Sequence, residues 1–378
     1  MGLDFREFSQ KEYARRFEKA RELMSRFGFD AILVGDEKNY RYFSGDRPPT
    51  KNRPAFVLLP IKDDPILIAS DFASKTTRFV SAIMDVRAYP MPFSYKLLAD
   101  AIRSIGLKRV GLEWDDRTFG GFHFGMQPGE FDRMKRDLIE VEFSDASELM
   151  WELRMIKTED EILCLKRAAT ITTEAYRKTF ADVREGMTEK EVAGLMVGHM
   201  ASLGADIPFR GKPGPSSLII LDSTHPVGCP PIPTDKVLGR GDLLHIDAGA
   251  IYHGYCSDFT RLAVVGEPTG RQEGEWKKVR DLVGHNIGKL RPGNLFKTLT
   301  CHFHGIGLDA IEPPFGGMVG RPLHGEWPVR EGMVICVEQN NYLDTGEIFA
   351  YEDIAVVRND GPEIITLADP GLQKVKAL

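Results

Sequence analysis

The chain has 378 residues, 42% of them apolar and 28% charged, with a formal net charge of -6. That length exceeds what one hydrophobic core usually serves, so two domains are expected. The mild acidity gives no electrostatic reason for a nucleic acid or an anionic membrane as partner, and a small-molecule or short-peptide ligand fits better.

The N-terminus MGLDFREFSQKEYARRF is charged from its fourth residue and lacks the apolar core of a signal peptide. Its Met-Gly start lacks the serine or threonine a myristoylation signal needs, because position 6 is Arg6. The five cysteines, Cys164, Cys229, Cys256, Cys301 and Cys336, are odd in number and scattered, which argues against a disulfide framework. A soluble protein of the reducing cytoplasm is expected.

Tyr13, Phe17, Ala20, Met24 and Phe27 recur at helical spacing, and Gly28 ends the run before the buried strand AILV at 31–34. Further apolar runs at 56–59, 66–69 and 110–112 complete an α/β domain over residues 1–152. The second domain, 153–378, opens with a long helical pattern from Glu159 to Phe180, and Thr188 with Glu191 forms a capping box for the next helix. Its later half changes to strand-like runs between Gly, Pro and Asp turns, so the class is α+β, with helices on a mainly antiparallel sheet.

Two segments of that half carry carboxylates that need explaining. If GDLLHIDAGAIYHGYCSDFTRLAVV is a hairpin with Tyr252-His253 as its loop, Asp247 lies directly opposite Asp258 on one sheet face. In MVICVEQNNYLDTGEIFAYEDIAVV the three-residue loop Asp344-Thr345-Gly346 places Glu338 directly opposite Glu352. Singly, each acid reads as a turn residue or a solvated strand position. Two opposed like-charged pairs destabilise a sheet unless a cation fills the gap. Carboxylates with one imidazole suit manganese, cobalt, zinc or iron, and His304 in CHFHGIG supplies the nitrogen.

The order Asp, ten residues, Asp, then His-Gly-Ile-Gly, then Glu, then Glu-Asp resembles the pita-bread metallohydrolases of the creatinase, prolidase and aminopeptidase P group, peptidase family M24. FDAILVGDEKNYRYFSG and LRMIKTEDEI resemble that group's N-terminal domain and its entry to the catalytic domain. The resemblance implies two divalent metal ions, with Asp247 chelating one, Asp258 and Glu352 bridging, and His304 and Glu338 holding the second. It further implies that Glu338 takes a proton from a metal-bound water, that an amide bond next to proline is cut, and that the chain forms a homodimer.

Several positions depart from the family pattern. Two histidines outside the metal shell are replaced, the first by Pro230 or Cys229 and the second by Ile311 before Glu312. Gln339 follows Glu338 where proline is usual, Ala350 replaces an arginine, Phe303 replaces a glycine, and the stretch from 291 to His304 is short. His225 lies nearest the first lost histidine and is a candidate catalytic substitute, while His302 and His324 flank the other half of the site. The expectation is a metal-dependent hydrolase of the Xaa-Pro peptidase or creatinase type. The alternatives are a non-peptidase member, like creatinase, ectoine hydrolase or a dimethylsulfoniopropionate lyase, and a binding protein on the same scaffold.

Overall fold

The computed structural model describes residues 6–46, 53–114, 124–206, 233–317 and 324–378. The chain divides into two compact units, Met1–Arg154 and Met155–Leu378. No helix among the described residues is long and apolar enough to cross a membrane.

In the first unit, α1 (Gln10–Phe27) starts where the Ser9 hydroxyl accepts from Glu12 N at 3.2 Å and stops at Gly28, whose φ of 76° closes the last turn. The chain then runs through β1 (Ala31–Val34), α2 (Glu37–Ser44), β2 (Phe56–Pro60), β3 (Ile66–Ser70) and α3 (Asp71–Val80). It continues with β4 (Asp85–Tyr89), α4 (Lys96–Ile105), β5 (Arg109–Leu112), α5 (Pro128–Asp137), β6 (Glu142–Asp145) and α6 (Ser147–Met155). The strands form one sheet in the order β4-β3-β2-β1-β5-β6. The four runs read as strands from their apolar character are the four inner ones. β4 and β6 lie at the edges, where half-exposed polar residues such as Asp85, Arg87 and Glu142 conceal the strand signal.

In the second unit, α7 (Glu159–Asp182) and α8 (Glu189–Ser202) each begin with the reciprocal capping box, Thr158 with Glu161 and Thr188 with Glu191. Helix α7 buries Ile162, Leu165, Ala169, Tyr176 and Phe180, the stripe its sequence period defines. Then come β7 (Leu243–Ala248), β8 (Ile251–Tyr252), β9 (Tyr255–Cys256), β10 (Phe259–Val265) and α9 (Gly270–Ile287). The last elements are β11 (His302–Gly305), β12 (Glu312–Gly316), β13 (Val334–Tyr342), β14 (Ile348–Val356), β15 (Glu363–Ile364) and β16 (Gln373–Val375). They form a three-stranded sheet, β16-β10-β7, a five-stranded antiparallel sheet, β12-β11-β13-β14-β15, and the small β8-β9 hairpin. The unit is thus the expected combination of helices with mainly antiparallel strands. Between Arg291 and His304 the chain makes one turn of 3-10 helix at Phe296–Thr298.

Helix α9 packs its Trp276, Val279, Val283 and Ile287 stripe into a core shared with Ile335, Val337, Tyr351 and Ala355 of β13 and β14. Those positions alternate with Cys336, Glu338, Glu352 and Ile354 along the same strands. One face of the sheet is thereby tied to the core, and the other is left to present chemistry.

Candidate metal centre

The β13–β14 hairpin has the register its sequence predicts. Glu338 pairs with Glu352 and Tyr342 with Ile348, while Leu343 N donates to Glu347 O at 2.9 Å across the three-residue loop. Gly346 sits at φ 86°, the left-handed position that this loop type requires.

The first hairpin corrects the expected register by two residues. Asp247 faces Thr260, not Asp258, and Tyr252 pairs with Tyr255, so the loop is His253-Gly254 rather than Tyr252-His253. His253 at φ 49° and Gly254 at φ 84° form a type I′ turn, which matches the right-handed twist of its strands where a Tyr-His loop would not. A shift of two preserves the facing side of every residue. Asp258 therefore still turns toward Asp247, now diagonally, from the link between β9 and β10.

Gly249 makes this approach possible, because a Cβ there would fall 1.7 Å from the Ser257 carbonyl oxygen. Helix α7 then pins the link. The Thr172 hydroxyl meets Ser257 Oγ at 2.7 Å, and Ala250 N donates to both at 2.9 and 3.0 Å. One turn on, the Tyr176 hydroxyl lies 2.8 Å from Ile246 O and 2.7 Å from Phe259 O, bridging β7 and β10 beside Asp247.

Two groups of potential ligand atoms result. One oxygen each from Asp247, Asp258 and Glu352 lie within 4.8 Å of one another, and so do ligand atoms of His304, Cys336 and Glu352. Glu352 belongs to both groups and is 2% exposed. Glu338 lies on the same face and raises the pKa values of Asp247 and Glu352, but its carboxylate falls outside both triads. Asn340 Nδ2 donates to it at 3.3 Å. His225, Cys229 and Pro230 lie outside the described residues.

The electrostatics show the cost of this arrangement. Burial, then the charge of Glu338, pushes Asp247 up to about 7. Burial followed by Glu352 and Asp247 holds Asp258 well above the usual carboxylate range, and burial followed by Asp247 and Glu338 does the same to Glu352. Among the described residues, Asp247 Oδ1 and Glu352 Oε1 are buried without a hydrogen-bond partner. His304 Nδ1 lies 3.0 Å from Gly305 O, which can only accept, so Nδ1 is the donor there and the other ring nitrogen, Nε2, is the one turned toward the cluster. Nε2 lies 3.5 Å from Glu352 Oε1. An imidazole nitrogen beside one buried, orphaned carboxylate oxygen, with a second orphaned oxygen on Asp247, is a donor set that fits a divalent cation.

Around this cluster the chain is locked by residues that sequence reasoning did not single out. Arg261, 1% exposed, meets Asp353 at 2.6 Å and donates through Nη1 to Thr260 O and Glu352 O, both at 2.8 Å. Lys157 and Glu312, both nearly fully buried, pair at 3.2 Å, and Glu312 also accepts from Asp309 N within the loop after His304. Cys336 joins the site as the residue opposite His304 in β11. Burial, then Glu352 and Asp258, raises its thiol well above the usual range. Period-two alternation from Glu338 would have flagged Cys336, whereas the spacing between cysteines could not. His245, two residues before Asp247, has both ring nitrogens without partners among the described residues, and burial lowers it to about 4, so it is neutral.

Residues 163–359 match Metallopeptidase family M24, and residues 16–156 match the Creatinase/Prolidase N-terminal domain. The chain belongs to metallopeptidase family M24. It is 27% identical to the uncharacterized peptidase YqhT of Bacillus subtilis strain 168, over 91% of this chain and 96% of that one. It is also 27% identical to an Xaa-Pro dipeptidase of Pyrococcus horikoshii, over 93% of this chain and 96% of the relative. Among solved structures, an X-Pro aminopeptidase from Thermotoga maritima MSB8 superposes with a TM-score of 0.79 at 25% identity, covering 95% of this chain and 99% of that one. An Xaa-Pro dipeptidase from Bacillus anthracis shares the fold with a TM-score of 0.81 at 24% identity, covering 96% and 100%. The expected two-part architecture, with a pita-bread second domain, is therefore that of the M24 hydrolases.

Proposed function

We propose that this M24 member is a metal-dependent hydrolase that cleaves the carbon-nitrogen bond of a short peptide of the Xaa-Pro type. In this reading Asp247, Asp258, Glu352, His304 and Glu338 hold two divalent ions, drawn from manganese, cobalt, zinc and iron. The observation that carries it is the pair of orphaned oxygens, Asp247 Oδ1 and Glu352 Oε1, with His304 Nε2 3.5 Å from the latter. When bound, such ions supply Lewis acidity for the scissile carbonyl and an acidified water.

The protein's own part is orientation and proton transfer. Glu352 sits between the Asp pair and His304 and is kept there by the backbone grip of Arg261 on its carbonyl. Glu338, partly exposed on the same sheet face, would both help to hold the second ion and accept a proton from a water, which it passes to the departing amine. Ile311 stands where relatives of this type place a substrate-steadying histidine and offers no donor to a developing oxyanion. Loss of one such donor lowers a rate by about 10² to 10³. The odd number and scattered spacing of the five cysteines support a reducing compartment such as the cytoplasm. Family resemblance supports a homodimer.

The test pairs metal analysis of the purified chain with cleavage of Xaa-Pro dipeptides after loading with manganese, cobalt or zinc. Stoichiometric metal with slow cleavage is expected. Bound metal without cleavage of any Xaa-Pro substrate would redirect the reading to non-peptide carbon-nitrogen bonds. Failure to bind any of these ions would end it.

A further inference from the structure

We propose that Cys336 is a sulfur ligand of the second metal position, which thereby takes a nitrogen, oxygen and sulfur donor set from His304, Glu352 and Cys336. The inference rests on the metal-centre reading above and adds to it a residue that confers metal preference.

Three observations place the thiol there. Cys336 is the cross-strand partner of His304 and is fully buried on the face that carries Glu338 and Glu352. Its Sγ, the His304 ring nitrogen and a Glu352 oxygen lie within 4.8 Å of one another. Glu352 Oε1, 2% exposed as a residue, has no hydrogen-bond partner among the described residues, so the triad contains an acceptor that only a donor or a cation can satisfy. The thiol already turns to these carboxylate-bearing residues, hydrogen-bonding the Glu352 side chain and lying 3.7 Å from Asp258 O. Glu338, two residues along β13, remains outside this triad, so Cys336 is the residue of β13 that the fold sets directly beside His304 and Glu352.

The chemistry of the set decides which ion it takes. Carboxylate-rich sites accept manganese readily, whereas a thiolate beside an imidazole favours zinc and cobalt. On metal entry the Cys336 S–H bond gives its proton to solvent and the sulfur electron pair forms the bond to the ion. The second position therefore selects zinc or cobalt over manganese.

The experiment is cobalt(II) titration of the metal-free full-length protein under anaerobic conditions, followed by absorption spectroscopy. The wild type is expected to show visible d–d bands and an intense near-ultraviolet sulfur-to-cobalt charge-transfer band. The latter is expected to vanish in Cys336→Ser and persist in Cys256→Ser. Cys336→Ser should weaken zinc binding by at least about tenfold, the least that loss of a metal-contacting or supporting group typically costs, while leaving manganese binding within about twofold. Bound cobalt with d–d bands but no charge-transfer band overturns the sulfur ligand and leaves the carboxylate centre standing. Persistence of the band in Cys336→Ser also overturns it. No cobalt uptake by the wild type overturns both readings, and the wild-type spectrum decides the matter even if the serine variant fails to fold.

Discussion

Replacing Arg261 with methionine tests how the two carboxylate-bearing hairpins are held together. The guanidinium is 1% exposed, pairs with Asp353 at 2.6 Å, and donates to Thr260 O in β10 and Glu352 O in β14. It lies 4.5 Å from the Tyr351 ring centroid, so methionine keeps the aliphatic packing and removes the charge. Among the described residues, Asp353 would remain buried with only the Tyr351 hydroxyl at 2.8 Å and the Thr366 hydroxyl at 2.5 Å as donors. Removing one partner of a buried ion pair costs about 3 to 5 kcal/mol. For a unit of this size that corresponds to a fall in melting temperature of roughly 6 to 20 °C. Because the same side chain grips β10 and β14, metal affinity should also fall about 10- to 100-fold, as for other supporting residues around metal ligands. Urea unfolding and cobalt titration of Arg261→Met measure both effects, and Arg261→Met/Asp353→Asn should recover at least half of the lost stability. Unfolding within about 1 kcal/mol of wild type would refute the energetic argument. Lost stability with unchanged cobalt affinity would show that the pair holds the sheet without positioning Glu352.

Asp258→Asn removes a proposed ligand from the Asp247 and Glu352 side of the cluster, so metal content measured after dialysis should drop below one ion per chain; full retention would contradict the placement. Gly249→Ala forces a Cβ against the Ser257 carbonyl, and the resulting shift of the Asp258 link should abolish cobalt uptake while far-ultraviolet circular dichroism stays near native. Metal at 100 times its dissociation constant stabilises the native state by about 2.7 kcal/mol, so a chelator should lower the melting temperature of the loaded protein by several degrees. In the first unit, burial and the neighbouring Asp36 push Glu113 up to about 8, while its Oε2 accepts from Gly35 N and Asp36 N. A carboxyl whose folded pKa is raised keeps a proton the unfolded chain has lost. Its unit is therefore most stable below about 4.5 and loses on the order of 4 kcal/mol as pH rises to about 8. Glu113→Gln keeps the acceptor and should flatten the urea midpoint between pH 5 and 8, whereas a slope equal to wild type would discount Glu113 as its source.

Much of the centre was legible in the sequence because a strand shows which residues share a face more robustly than it shows which residues stand opposite. In the second hairpin Gly346 marks the left-handed position, so loop and register were both available. In the first, assigning the loop to Tyr252-His253 ignored that a type I′ turn wants its glycine at the second position, and His253-Gly254 satisfies this. The resulting error of two residues kept Asp247 and Asp258 on one face, and the inference of a cation survived a wrong register. A slip of one residue would have turned one of them away. Cys336 was missed for the converse reason, since cysteines were compared with each other rather than with Glu338 along the strand. The edge strands β4 and β6 escaped notice because their outer positions are polar. What no local pattern could supply is the long-range support. Thr172 meets Ser257, Arg261 meets Asp353, and Lys157 meets Glu312 across 85, 92 and 155 positions. Each of those residues looks like an ordinary polar helix, strand or loop position until the fold closes. The candidate ligands could thus be read from period and turn chemistry, whereas the strength with which they are held could be read only from the fold.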